Sequence, residues 1–298
     1  MFIYFNKYVK KSMILRKSAE IKKYSTISII SQRLESRDFI FPYLVGLIEG
    51  DGWFTISKKG KYIMYELGIE LSIKDVQLLY KIKSILGIGT ISFRYRNRSK
   101  IDNHLEKNDN MVIYRIRDKF HLKNVIIPIF DSYPLLSSKQ FDYIRFRSCL
   151  LGGIIFSKDL LSYTRPNIPV NSVKSIMNTS YFSSWLIGFI EAESCFSIYK
   201  PTNDSSFIAS FEISQTDEEV LIVAIHKYLK LTGSITVSFR NNIRFKVSSV
   251  RNIENIINFM ERAPIKLLGY KKLQYLLWLK KLRMISRYNT KINIPKKY

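Results

Sequence analysis

Leu44-Val45-Gly46-Leu47-Ile48-Glu49-Gly50-Asp51-Gly52-Trp53-Phe54 returns later in the same chain as Leu186-Ile187-Gly188-Phe189-Ile190-Glu191-Ala192-Glu193-Ser194-Cys195-Phe196. Each copy is an apolar, helix-like run with glycine at its third position and two acids at its end. A glycine lets two helix backbones pack closely, so Gly46 and Gly188 predict that the two helices cross one another. The acids then end both helices, where the helix dipole is already negative and a carboxylate is disfavoured. Like-charge repulsion across the crossing adds to this unless cations lie between the acids.

Carboxylates two residues apart on a helix do not face the same way. One acid per copy therefore points at a shared centre; these are Asp51 and Glu193, with Glu49 and Glu191 left to orient the helices. Oxygen-only ligands suit Mg²⁺, with Mn²⁺ as the other candidate, and such ions support phosphodiester hydrolysis.

The copies belong to a longer repeat. Ile69-Glu70-Leu71-Ser72-Ile73-Lys74-Asp75 meets Phe211-Glu212-Ile213-Ser214-Gln215-Thr216-Asp217 at the same separation as the two motifs, and Ser92-Phe93-Arg94 meets Ser238-Phe239-Arg240 at a slightly longer one. Alternation after each motif predicts a strand, followed by a helix from near Asp75 to a stop at Gly87 and, in the second copy, from Thr216, with a possible capping box to Glu219, to about Gly233. The fold class is α+β, with sheet and helices in separate layers. The expected organisation is a basic extension over 1–38, one domain over 39–150, a turn-rich linker over 151–180 holding a short helix near Lys158–Tyr163, and a second domain over 181–298. The extension has three readings: a targeting segment, a disordered arm, or the remnant of an upstream reading frame.

The 298 residues carry 48 Lys+Arg against 24 Asp+Glu, a formal charge of +24 that points to a polyanionic partner. No uncharged apolar stretch is long enough to span a bilayer. Cys149 and Cys195 show no metal-ligand spacing and are expected to be reduced core thiols. The three histidines also lack such spacing, which leaves a His-based nuclease or a Ser/His/Asp hydrolase poorly supported.

Basic residues recur at every second position in Arg94, Arg96, Arg98 and Lys100, and again in Arg115 and Arg117 and in Arg244 and Lys246 beside Arg240. A strand sends such residues to one face, and a twisted basic ribbon fits the DNA major groove. Lys58, Lys59, Lys61 and Lys200 complete the candidate contact set.

With these motifs the chain resembles the LAGLIDADG homing endonucleases, most closely those encoded in fungal mitochondrial cytochrome b introns. The likeness runs from about residue 39 to the end, through stretches such as Tyr65–Val76 and Lys271–Trp278. It implies a pseudo-symmetric tandem repeat of αββαββα domains, whose saddle-shaped antiparallel sheets grip double-stranded DNA at the intron insertion site. It also implies a monomer in the mitochondrion, with metal held by Asp51 and Glu193, and Lys139, Lys271 and Gln215 ordering water and stabilising charge. A maturase role on the group I intron RNA is implied too. Ser194 stands where the family usually has glycine, so a slightly altered turn and weaker cleavage of one strand are expected. Two other readings stay open from sequence: a splicing cofactor that no longer cleaves, and a non-catalytic DNA-binding regulator.

Overall fold

A computed structural model of the protein describes residues 38–94, 110–202 and 207–298. The first repeat runs α1 (38–51), β1 (Gly52–Lys59), β2 (Tyr62–Ser72), α2 (Val76–Leu86), β3 (Thr90–Arg94) and β4 (Met111–Ile116). It continues with α3 (Lys119–His121) and α4 (Ile127–Ser132), joined by a π-helical turn over Leu122–Ile126, and ends in α5 (Lys139–Leu151). A short α6 (Val173–Met177) leads to the second repeat. That comprises α7 (Phe182–Glu193), β5 (Ser194–Tyr199), β6 (Ile208–Thr216), α8 (Glu219–Tyr228), β7 (Thr236–Ser238), β8 (Asn242–Val247), α9 (Val250–Arg262), α10 (Tyr270–Leu282) and α11 (Ser286–Asn289).

Each repeat builds one four-stranded antiparallel sheet, in the orders β1-β2-β4-β3 and β5-β6-β8-β7. The fold is thus α+β with the αββαββα order twice, as expected. Both repeats lie within one compact unit, Pro42–Tyr298; the unit before it enters the described residues only as the helical segment 38–41. The readings of the N-terminal extension fall outside the described residues, apart from Asp38.

Side-chain alternation assigns each sheet a covered and an open face. Phe54 pairs in register with Leu67, and Ile56 with Tyr65, on the covered face. Phe54 meets Phe130, Tyr143 and Phe146 at ring separations of 5.0, 5.2 and 5.3 Å. The second repeat reproduces the cluster, with Phe196 against Phe211, Tyr275 and Trp278 at 5.1, 5.1 and 5.3 Å. Burial of such rings stabilises by roughly 1.5–3 kcal/mol each, with about 0.5–1.5 kcal/mol more per well-oriented pair. These two clusters hold α5 and α10 against their sheets.

Local expectations divide by mechanism. The helix after Asp75 is α2, and Gly87 ends it in a left-handed conformation, φ 69°. The matching helix starts later than expected, because Thr216 still belongs to β6 and Asp217 turns at φ 59°. Glu218 is its N-cap, and it ends at Tyr228 rather than near Gly233. The expected linker helix near Lys158–Tyr163 is only a 3₁₀ turn at Ser157–Asp159; the linker's helix is α6, capped by the Ser172 side chain. Cys149 is half-buried and Cys195 is exposed, so neither is a core thiol. Among the described residues no helix is long and apolar enough to cross a membrane.

Candidate active site

α1 and α7 cross at their glycines. A Cβ on Gly46 would lie 2.9 Å from the Trp185 carbonyl carbon and 3.0 Å from the Phe189 amide nitrogen. One on Gly188 would lie 2.8 Å from the Tyr43 carbonyl carbon and 2.9 Å from the Leu47 nitrogen. Backbone thus meets backbone, the approach that only glycine permits.

Two buried glutamates tie this crossing together. Glu49 accepts hydrogen bonds from the Trp185 indole at 2.7 Å, from the Leu136 amide at 3.0 Å and from the Ser137 amide. Glu191 accepts from the Tyr43 hydroxyl at 2.9 Å and the Leu268 amide at 2.7 Å. Each carboxylate joins the opposite helix to the loop before its own repeat's last sheet-packing helix. Burial raises both acids above the ordinary carboxylate range, partly offset by these donors. They orient the helices, whereas the acids two residues on remain only half-buried.

Asp51 and Glu193 end the two helices side by side, and a Cβ on Gly50 would lie 3.1 Å from Glu193 Cγ. Burial pushes Asp51 up to about 6, against the pull of Lys139 and Lys271. Burial and then the Asp51 charge push Glu193 up to about 7. Lys139 Nζ sits on the carbonyls where α1 passes into β1, donating to Ile48 at 2.9 Å, Glu49 at 2.6 Å and Gly52 at 2.6 Å, with the Gly50 carbonyl sharing a hydrogen at 3.3 Å. Burial holds this ammonium below its ordinary value, although Glu49 and Glu193 draw it up. Lys271 Nζ donates to the Ser194 carbonyl at 2.5 Å. The lysines therefore offset the negative helix ends on which the acids stand.

The raised values set a pH dependence. A carboxylate whose folded value is raised binds its proton more tightly when folded, so its contribution to stability falls as pH rises between the unfolded and folded values. For Asp51 that window is 3.8 to about 6, and for Glu193 4.5 to about 7. In urea unfolding without divalent ions, the wild type should lose stability relative to D51N/E193Q across this range, by up to about 3 kcal/mol per carboxylate. Equal pH profiles for the two proteins would contradict the burial of charge described here.

Other candidates fall differently. Gln215 lies on the covered-face register of β6, opposite Ile243, and no hydrogen bond joins its side chain to these acids or lysines among the described residues. Ser194, the counterpart of Gly52, has no left-handed backbone, at φ −92°, and its hydroxyl donates to the Ile190 carbonyl at 2.7 Å. The turn therefore accommodates serine.

On the open sheet faces five of the basic residues are paired with acids. Glu66 receives the Trp53 indole at 3.1 Å and Arg117 at 2.5 Å, with Arg115 at 3.5 Å; Arg115 also donates to Ser92 Oγ at 3.1 Å. Arg94 pairs with Glu70 at 2.5 Å, and Arg244 and Lys246 with Glu212 at 3.5 and 3.9 Å. Lys59 shares this face, but Lys58 opposes Ile63 on the other one. Lys61 stands in the β1–β2 turn and Lys200 just beyond β5. Arg240 is not on a strand: it adopts φ 62° in the turn between β7 and β8. Arg96, Arg98 and Lys100 lie outside the described residues.

Two repeats crossing at glycines, with one half-buried acid from each at the meeting point, define a single-chain pseudo-dimer of endonuclease type. The LAGLIDADG endonuclease pattern matches residues 44–150 and 186–282, and the chain belongs to that family. A probable intron-encoded endonuclease, Cox1-I1b of Schizosaccharomyces pombe, is 31% identical over 278 residues, covering 86% of this chain and 67% of that protein. A probable intron-encoded endonuclease aI3 of Dictyostelium citrinum is 28% identical over 244 residues, covering 79% of this chain and 93% of its own. The chain spans 39% and 47% of two longer relatives. The solved structure of I-SmaMI bound to an uncleaved DNA target in the presence of calcium ions superposes with a TM-score of 0.64 at 23% identity, covering 82% of this chain and 91% of that one. At that identity the likeness establishes the fold. These relatives do not bear on the nearer likeness to cytochrome b intron products.

Proposed function

We propose that the protein is a site-specific, divalent-metal-dependent endonuclease that cuts both strands of double-stranded DNA at the insertion site of its group I intron, working as a monomer. The observation that carries this is the meeting of Asp51 and Glu193, one acid from each repeat, at the crossed helix ends. The names of the relatives support the intron-encoded context, and one of the longer relatives, mitochondrial protein RF1 of Saccharomyces cerevisiae, supports a place in the mitochondrion. Cleavage of the junction duplex by the wild type and not by D51N/E193Q tests it.

The donor chemistry fits Mg²⁺, with Mn²⁺ as an alternative. Two carboxylates repel one another in a partly dry site, and among the described residues no three His, Cys, Asp or Glu side chains are grouped so that they could hold a metal ion together. Mg²⁺ is commonly held by one or two carboxylates with water and substrate phosphate completing its shell, which is what two acids alone can offer. Asp51 and Glu193 would hold it, and when bound it supplies charge neutralisation at the phosphate and a more acidic water. Lys139 and Lys271 keep positive charge beside the acids and fix the carbonyl ends of the helices. Gln215 is assigned a water-ordering role by resemblance alone.

The open sheet faces supply DNA contacts. Arg115, oriented by Glu66 and Ser92 in the middle of its sheet, presents a preset donor fork of the kind that reads guanine. Arg115→Ala should weaken target binding by about 1–3 kcal/mol and relax specificity at one base pair, measured on duplexes varied one position at a time. A uniform loss over all sequences would make it a phosphate contact instead.

Assistance to splicing of the intron RNA is proposed on the resemblance and on the +24 charge. Intron splicing in vitro at physiological Mg²⁺ should accelerate when the protein is added, and an unchanged rate removes this role. If splicing accelerates but no duplex is cut, the protein is a cleavage-deficient maturase.

A further inference from the structure

Asp75 and Glu218 occupy the N-caps of α2 and α8, yet neither side chain caps its own helix. An acid at that position ordinarily accepts from the first turn that follows it. Asp75 Oδ1 instead accepts from the backbone amide of Tyr270 at 2.7 Å, the first residue of α10. Glu218 Oε1 accepts from the amide of Ser138 at 2.8 Å, the N-cap of α5. The two contacts are reciprocal: the first repeat grips the last sheet-packing helix of the second, and the second grips that of the first.

The residues that follow are Lys271 and Lys139, whose ammonium groups reach the ends of α7 and α1. The grip on α10 has further parts. Lys74 Nζ lies 5.3 Å from the Tyr270 ring centre, and Lys81 Nζ donates to the Leu268 carbonyl at 2.9 Å. A Cβ on Gly269 would stand 2.6 Å from Asp75 Oδ1 and 2.9 Å from Glu191 Oε1, so a side chain there would push both carboxylates aside. Asp51, Asp75, Tyr270 and Lys271 all line one cavity of about 180 Å³. Lys271 thus borders open space on this side, and the backbone contact at Tyr270 fixes where α10 presents it.

We propose that Asp75 and Glu218 are reciprocal positioning residues, each holding the lysine-bearing helix of the opposite repeat in place at the acid centre. A carboxylate accepting a helix N-terminal amide is a charge-assisted bond favoured by the dipole. Each cleavage event then depends on an acid from the other repeat. The consequence for strand cutting rests on the endonuclease reading above, whereas the amide contacts do not.

The test uses the full chain and the intronless junction duplex, labelled separately on each strand, together with amide hydrogen exchange. Asp75→Ala should slow cutting of one strand by about tenfold or more, the same strand that Lys271→Met slows, with KM for the duplex unchanged. Glu218→Ala should do so for the other strand, the one that Lys139→Met slows. Asp75→Asn and Glu218→Gln, which keep an acceptor oxygen, should restore most of the rate. Exchange should quicken at Tyr270 and not at Ser138 in Asp75→Ala, and the reverse in Glu218→Ala. Equal slowing of both strands, unaltered strand rates, or exchange that quickens at both amides together overturns the proposal. A wild type that cuts neither strand removes the endonuclease reading, and the exchange pattern then decides the positioning role alone.

Discussion

Exchanging Asp51 for asparagine and Glu193 for glutamine removes DNA cleavage and leaves the folded protein at least as stable as before. The loss of rate should be on the order of 10³-fold or more, the scale of several kcal/mol of charge stabilisation lost with the carboxylates proposed to hold the metal. Stability should move the other way at pH 8, because two partly buried like charges are replaced by neutral amides of the same shape. Both halves of this outcome are measured on one preparation, by cleavage of the junction duplex with Mg²⁺ and by thermal unfolding without it. Cleavage persisting within tenfold of wild type would falsify the acid-centred mechanism. Loss of cleavage together with a lowered melting temperature would show that the acids hold the fold rather than the reaction.

The division of labour between neighbouring acids was half legible in the chain. Spacing along a helix separates Glu49 from Asp51, and glycine at the third position announces the crossing. What the spacing cannot supply is the partner of each buried glutamate. Glu49 is satisfied by the Leu136 and Ser137 amides and the Trp185 indole, groups far away in sequence and partly backbone, which carry no signature of their own. The repeated stretch marks Asp75 as a helix start, and it is the N-cap of α2. Its hydrogen bond went to the other repeat, a tertiary choice that overrides the local capping preference. Glu218 was hidden more deeply, because strict repeat register matches Asp75 with Asp217. The positive φ of Asp217 shifts the N-cap one residue along.

The basic alternation was legible as strand faces but not as chemistry. Period two places Arg115 on the open face, and nothing local shows that Glu66, on the adjacent strand, will orient it. The same rule removes Lys58 from the candidate contact set, since it alternates with Lys59 and so falls on the covered face. Arg240 matched Arg94 in the repeat, yet a tight turn at φ 62° takes it out of the ladder. Sequence similarity between repeats thus conserved the element order better than the residue-by-residue geometry.

The second large effect concerns the crossing itself. Gly46→Ala adds one methyl group to a helix interior, where alanine is ordinarily favoured by up to about 1 kcal/mol. Here the methyl meets the Trp185 carbonyl and the Phe189 amide, backbone atoms that no rotamer change can move aside. The helices must separate, which stretches the Trp185–Glu49 and Tyr43–Glu191 hydrogen bonds and parts Asp51 from Glu193. Overpacking costs roughly 1–3 kcal/mol and a weakened bond to a buried carboxylate about 1.5–3 kcal/mol more, so the net loss should be about 3 kcal/mol or greater. Gly188→Ala should behave alike, since its methyl would meet the Tyr43 carbonyl and the Leu47 amide. Their combination should cost less than the two losses added, because helices already forced apart accept the second methyl more easily. Gly87→Ala is the control: nothing lies within 4 Å of a Cβ there, so only its left-handed backbone, φ 69°, opposes the change, at about 1–2 kcal/mol. Urea unfolding of the four variants measures all of this, and a Gly46→Ala protein as stable as wild type would mean that the two helices do not cross backbone to backbone.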